Sequence, residues 1–147
     1  MDFLANLTEA ERAALVAAPA CITVLIAGAD KKIDKSEKTW ASKVVTYRTF
    51  TSDPMLNAYY TLVKDSFQDN LSHFLDKWTP EEGETTLSQT LSSLSPILSS
   101  MDVEFSQHLK ASWRSLAKEV AEASGGFLGI GSVSAEEKRL IELDMLA

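Results

Sequence analysis

At 147 residues, 45% hydrophobic and 24% charged, the chain has material for one well-cored domain, is too short for two comfortable ones, and is too apolar for disorder. The net charge of −7 is uneven: residues 1–52 carry seven Lys/Arg against six Asp/Glu, and residues 53–147 carry seven against fifteen. Such an acidic chain is repelled by phosphate backbones and anionic lipid, so nucleic acid is not an expected partner. A single cysteine, Cys21, forms neither an internal disulfide nor a thiolate metal cage. No apolar run is expected to reach the length needed to span a bilayer. The opening Met1–Asp2–Phe3–Leu4 lacks the basic region of a secretory signal. These features predict a cytoplasmic protein with no integral membrane segment.

In chain order, Thr8 followed by Glu11 is a capping box, with Leu15 and Val16 at helical spacing behind it. Pro19 is expected to begin a second helical piece. Residues 20–29 are apolar all round and predict a short helix through the core that carries a buried, unreactive Cys21. Asp34 with Glu37 opens the next helix, whose inward stripe is Trp40, Val44 and Tyr47. The Lys31–Arg48 basic cluster beside it is expected to be a solvated face. Asp53–Pro54 starts a long helix with Leu56, Tyr60, Val63, Phe67, Leu71, Phe74 and Trp78 on one side, about 25 residues or roughly 37 Å.

Thr79–Pro80–Glu81–Glu82 repeats the start signal. Behind it, Leu87, Leu91, Leu94, Leu98 and Met101 hold a helical period through a Ser/Thr-rich segment, which Pro96 should kink or split. Asp102 caps a helix that turns Phe105, Leu109, Trp113, Leu116 and Val120 inward and ends at Gly125–Gly126. Ser134 and Glu137 open a last helix carrying Leu140 and Leu143. No stretch sustains period-two alternation. The prediction is an all-α single domain over 1–147, an irregular bundle of six to seven helices.

Two segments echo each other. Ile33–Asp34–Lys35–Ser36–Glu37–Lys38 matches Val133–Ser134–Ala135–Glu136–Glu137–Lys138, and each follows an apolar helix and a turn. With Ala29–Asp30–Lys31–Lys32–Ile33–Asp34–Lys35–Ser36–Glu37, this pattern resembles the tellurite-resistance TerB-like family. That family is all-helical, with a helix ending in a small-residue–Asp–Gly turn, then Ile or Val, then a Glu opening the next helix. Lys31 stands where the family carries Gly, and Ser124 and Ser134 stand at the second turn. The resemblance implies a non-catalytic module of bacterial stress and tellurite-resistance systems, with a divalent cation, Ca²⁺ or Mg²⁺, on the acidic turn of Asp30, Asp34 and Glu37.

The residues themselves leave two readings of that turn. Asp34 and Glu37 are fully explained as a helix cap, whereas Asp30 lies just past a helix C-terminus, where the dipole opposes a carboxylate. Three carboxylates within eight residues also suit a hard cation. The spacings Asp69/His73 and Glu104/His108 are ordinary i,i+4 contacts and differ from the Glu-x-x-His of di-iron bundles. Gly126, Gly129 and Gly131 surround Phe127, Leu128 and Ile130, which suit a core plug or an exposed docking or membrane-touching loop better than a phosphate cradle. The competing functional expectation is a structural adaptor without ligand. It would dock a protein partner through the Ser-rich helix 85–100 or the apolar loop 125–131. No set of side chains predicts an enzyme.

Overall fold

The computed structural model describes residues 3–28, 54–126 and 140–146. The chain is mostly helical, and no strand occurs among the described residues. Five α-helical segments lie there: α1 (Glu9–Ala27), α2 (Asn57–Lys77), α3 (Gly83–Ser92), α4 (Ser95–Ser100) and α5 (Val103–Gly126). Pro54–Leu56 and Asp144–Leu146 add single 3₁₀ turns. The Asp34–Tyr47 helix, the Lys31–Arg48 cluster and the Ser134–Glu137 cap, and with them the internal echo, lie outside the described residues.

Helix α1 is the centre of the fold, packing chiefly on α2 and also on α5 and α3. Its start follows the capping box: the Glu11 N–H donates to Thr8 Oγ1 at 3.1 Å and the Thr8 N–H to Glu11 Oε1 at 2.9 Å. Its middle departs from expectation. Pro19 does not start a second piece; it sits inside one continuous helix of 19 residues. Proline there removes the N–H that would bond the Leu15 carbonyl and normally costs about 3 kcal/mol or more. The fold supplies a substitute donor, since the Tyr59 hydroxyl of α2 donates to Leu15 O at 2.6 Å. Trp113 Nε1 of α5 in turn donates to the Tyr59 oxygen at 3.1 Å. Thr23, buried one turn on, donates its hydroxyl back to the Pro19 carbonyl at 2.8 Å.

Because α1 runs through Pro19, one helix does reach spanning length and composition, with a mean hydropathy of 1.7 over its most apolar window. That corrects the expectation of no such run. Of this window 61% is buried inside the fold, and every residue from Ala18 to Ala27 is buried. An all-round apolar helix needs apolar surroundings, and here other helices provide them.

The stripe of α2 is buried from Leu56 through Phe74, as its spacing predicts. Asp53 lies outside the described residues, and the chain from Pro54 winds first as 3₁₀, so α2 begins at Asn57 with no side-chain cap. Trp78 is not the last core residue of the helix. It leaves α2 in an extended conformation, half-buried, with its indole lying against the backbones of Gly28 and Gly83. A Cβ at either glycine would overlap that ring, so both positions admit no side chain while Trp78 is in place.

Thr79 Oγ1 accepts from the Glu82 N–H at 3.1 Å, the turn its sequence signals, and α3 follows from Gly83. The Ser-rich stretch splits as Pro96 requires, with the break at Ser93–Leu94 and Pro96 in the first turn of α4, where a missing N–H is harmless. Leu87, Leu91, Leu94 and Leu98 are all buried. Asp102 Oδ1 accepts from the Phe105 N–H at 3.0 Å and starts α5, whose Phe105, Leu109, Trp113, Leu116 and Val120 face inward. Leu140 and Leu143 are buried, yet Leu143 has φ 52°, a left-handed conformation that a γ-branched residue seldom adopts. Burial of its side chain and the Arg114 Nε–Glu142 O bond of 2.9 Å hold this turn against α5.

Tyr59→Phe should destabilise the protein by about 2–4 kcal/mol, since it strands both the Leu15 carbonyl and the Trp113 N–H. In a Pro19→Ala background the restored amide serves Leu15, and the same substitution should cost about 1 kcal/mol less. Urea unfolding of the four proteins measures this. Equal costs in the two backgrounds would show that proline and tyrosine are not coupled.

Candidate functional site

One face of α1 carries Ala14, Ala17, Ala18 and Cys21, a run of small side chains at helical spacing. Where larger residues would fill the space to α3, these leave a cleft of about 290 Å³. Its far wall is α3, with Thr86 and Thr90 exposed above the buried Leu87 and Leu91. The C-terminal turns of α2 close one end through His73, Phe74, Lys77 and Trp78. The cleft therefore has an apolar floor, a hydroxyl-bearing wall and two basic side chains at its edge. Among its described lining residues there is no carboxylate, although the protein as a whole carries −7.

Cys21 forms part of the floor but is fully buried, and its Sγ–H lies 3.7 Å from the Leu87 carbonyl, a weak donor contact. Burial alone pushes the thiol from its ordinary 9.0 up to about 12. The thiolate is the nucleophile, so at neutral pH this group behaves as a small apolar residue. Tyr59 is shifted the same way, well above 10, by burial first and then by neighbouring Tyr60, with the Trp113 hydrogen bond acting against the rise. Its hydroxyl thus stays protonated as the donor that Leu15 needs.

A second concavity, of about 450 Å³, lies on another part of the surface, between the N-terminal turn, Arg12 of α1, Met55, the start of α2 and Phe105. Phe3 stacks on Phe105 with ring centroids 4.6 Å apart and planes 20° from parallel.

The sequence-predicted cation ligands Asp30, Asp34 and Glu37 lie outside the described residues, as do residues 127–131 of the apolar loop 125–131. His108 and Glu104 form the expected i,i+4 contact, Nε2 to Oε1 at 3.9 Å on the surface. His73 stands apart from them, exposed and edge-on to Phe74 at 5.3 Å. No group of three or more His, Cys, Asp or Glu comes together among the described residues. Sequence reading missed the cleft, whose signal was the Ala14/Ala17/Ala18/Cys21 spacing opposite a helix with hydroxyls at Thr86 and Thr90. It also missed Tyr59, which stands one position beside the apolar stripe of α2.

Comparison with protein-family models, with curated proteins and with solved structures gives no match.

At pH 8, alkylation of Cys21 by iodoacetamide should run on the order of 1,000-fold slower in the native protein than in urea. Three decades follow from a thiol raised from 9.0 to about 12, which removes thiolate at any pH below the folded value. Native labelling at the unfolded rate would place the thiol in contact with solvent.

Proposed function

We propose that this chain is a non-catalytic binding module whose working surface is the α1–α2–α3 cleft, where it takes an anchor side chain of a protein partner against the hydroxyl-rich wall of α3. The observation that supports this is the small-residue floor: Ala14 and Ala17 are half-buried at the mouth, Ala18 and Cys21 fully buried beneath. Interfaces concentrate their energy where one large side chain fills such a hollow and water is excluded around it. The Ser-rich helix predicted to dock a partner is itself rooted in the core by its leucines, so what it offers is a rigid wall with exposed hydroxyls. His73 and Lys77 at the edge favour a partner with an acidic residue beside its anchor.

Selection of displayed peptides on the wild-type protein should yield sequences with one apolar anchor flanked by an acidic residue. Ala17→Leu, which fills the mouth from a half-exposed position without touching the deep core, should weaken them at least about tenfold, the equivalent of about 1.4 kcal/mol. Melting of the variant should stay within a few degrees of wild type. Selected peptides that bind both proteins equally would remove the cleft from the proposal.

The TerB-like resemblance gives a second and more specific form of the reading. It would make the chain a cytoplasmic module of bacterial stress or tellurite resistance, a six- to seven-helix bundle with a helix-turn-helix pseudo-repeat. The acidic turn of Asp30, Asp34 and Glu37 would hold Ca²⁺ or Mg²⁺, and the loop 125–131 would be free for peripheral membrane or protein contact. Its support is the residue pattern from Ala29 to Glu37 together with the all-helical architecture. A cation at a hundred times its dissociation constant adds about 2.7 kcal/mol. Millimolar Ca²⁺ or Mg²⁺ should therefore raise the melting temperature clearly, and Asp30→Asn should abolish the rise. An unchanged wild-type melt would dismiss both cations.

A further inference from the structure

The 450 Å³ groove beside α5 contains a feature that the fold does not use. Arg12 lines it, half-buried, and spends one Nη2 donor on the Leu4 carbonyl at 3.2 Å. Its Nε is closed to solvent and has no hydrogen-bond acceptor among the described residues. No carboxylate among the described residues pairs with the guanidinium. A buried donor without an acceptor is rare in folded proteins and destabilising, and a half-buried arginine in an acidic protein would ordinarily be matched by one of its many carboxylates. Around this one cation the described lining is apolar and aromatic: Phe3, Leu4, Met55, Leu62 and Phe105, with Tyr59 contributing only ring, since its hydroxyl is committed to Leu15 and Trp113. Leu62 is 39% exposed at the rim, so the apolar surface is open to a ligand.

We infer that this groove binds a small amphipathic monocarboxylate, its apolar chain against Phe3, Met55 and Phe105 and its carboxylate on Arg12. Size, charge and donor geometry each narrow the class. A volume of about 450 Å³ falls in the range of small-molecule sites and is too small for a helix. One guanidinium with no second cation among the described lining residues matches a single negative charge, whereas a phosphate dianion calls for more donors. The planar fork of arginine suits two carboxylate oxygens, and a ligand's apolar chain laid on the aromatic lining would shield that pair from water. The site is separate from the α1–α2–α3 cleft, so it stands or falls independently of the docking proposal.

Octanoate and its neutral analogue octanol are the probes, titrated calorimetrically into the full chain, with methyl resonances of Met55 and Leu62 followed by NMR. Octanoate should bind and shift both methyl groups, and octanol should bind at least about tenfold more weakly, the difference expected for one charge-assisted pair. Arg12→Met keeps the aliphatic stem and should lose octanoate by a similar factor while leaving octanol unchanged. Leu62→Asp, at a partly exposed rim position that spares the core, should weaken octanoate specifically by adding a like charge, and it gives the answer should Arg12→Met fold poorly. Equal affinity for octanoate and octanol would overturn the assignment. So would octanoate binding untouched by both substitutions, shifts confined to the Ala14–Ala17 cleft, or no octanoate binding at millimolar concentration.

Discussion

A proline in the middle of a core helix leaves one carbonyl without its backbone donor, and this fold is arranged so that the Tyr59 hydroxyl takes the vacant place. The bond from Tyr59 to Leu15 sets where α2 lies along α1, and the bond from Trp113 to the same oxygen sets α5 against both. In a core this dry, a polar group that misses its partner costs more than the bond itself is worth, so the trio selects one packing over its neighbours. A slip of α2 by one helical turn would strand three polar groups at once. Apolar packing alone, with leucines and alanines able to exchange places, would tolerate such a slip far better. The cleft and the groove both border α1 and α2, so their shapes inherit this fixed register.

Most of the helical architecture was legible because its signals are local. Capping by Thr8/Glu11 and by Asp102, and the leucine and aromatic stripes of α2, α3 and α5, depend on residues a few positions apart. Errors arose where the deciding partner was remote in sequence. Pro19 looked like a boundary because the donor that rescues it lies 40 positions away, and Tyr59 looked like a flank residue for the same reason. Trp78 sat at the end of the α2 period, but the space beside two glycines drew it out of the helix. Leu143 showed no local cue for a positive φ, since that conformation is set by the turn docking onto α3 and α5.

The candidate sites were harder to read than the fold. A motif search looks for reactive groups, and here the informative residues are alanines that leave room and an arginine with no carboxylate beside it among the described residues. Neither feature departs from ordinary composition; both take their meaning from what packs opposite. The net charge also misleads when averaged over the chain. Carboxylates dominate the total, yet both concavities present basic side chains: His73 and Lys77 at one, Arg12 at the other. Negative charge spread over the surface repels most anions, whereas Lys77 and Arg12 make the potential at the two hollows locally less negative.

The two described tryptophans occupy opposite extremes of environment. Trp113 is wholly enclosed, with its N–H held by the Tyr59 oxygen, so its emission should be blue-shifted and insensitive to external quenchers. Trp78 stands half in water at the end of the cleft, flanked by bare backbone at Gly28 and Gly83. Its indole lines the cleft, so its emission should respond to anything that fills that space. Of these two, one is a fixed internal reference and the other a responsive reporter, separable by acrylamide quenching without any added dye once Trp40→Phe removes the third tryptophan.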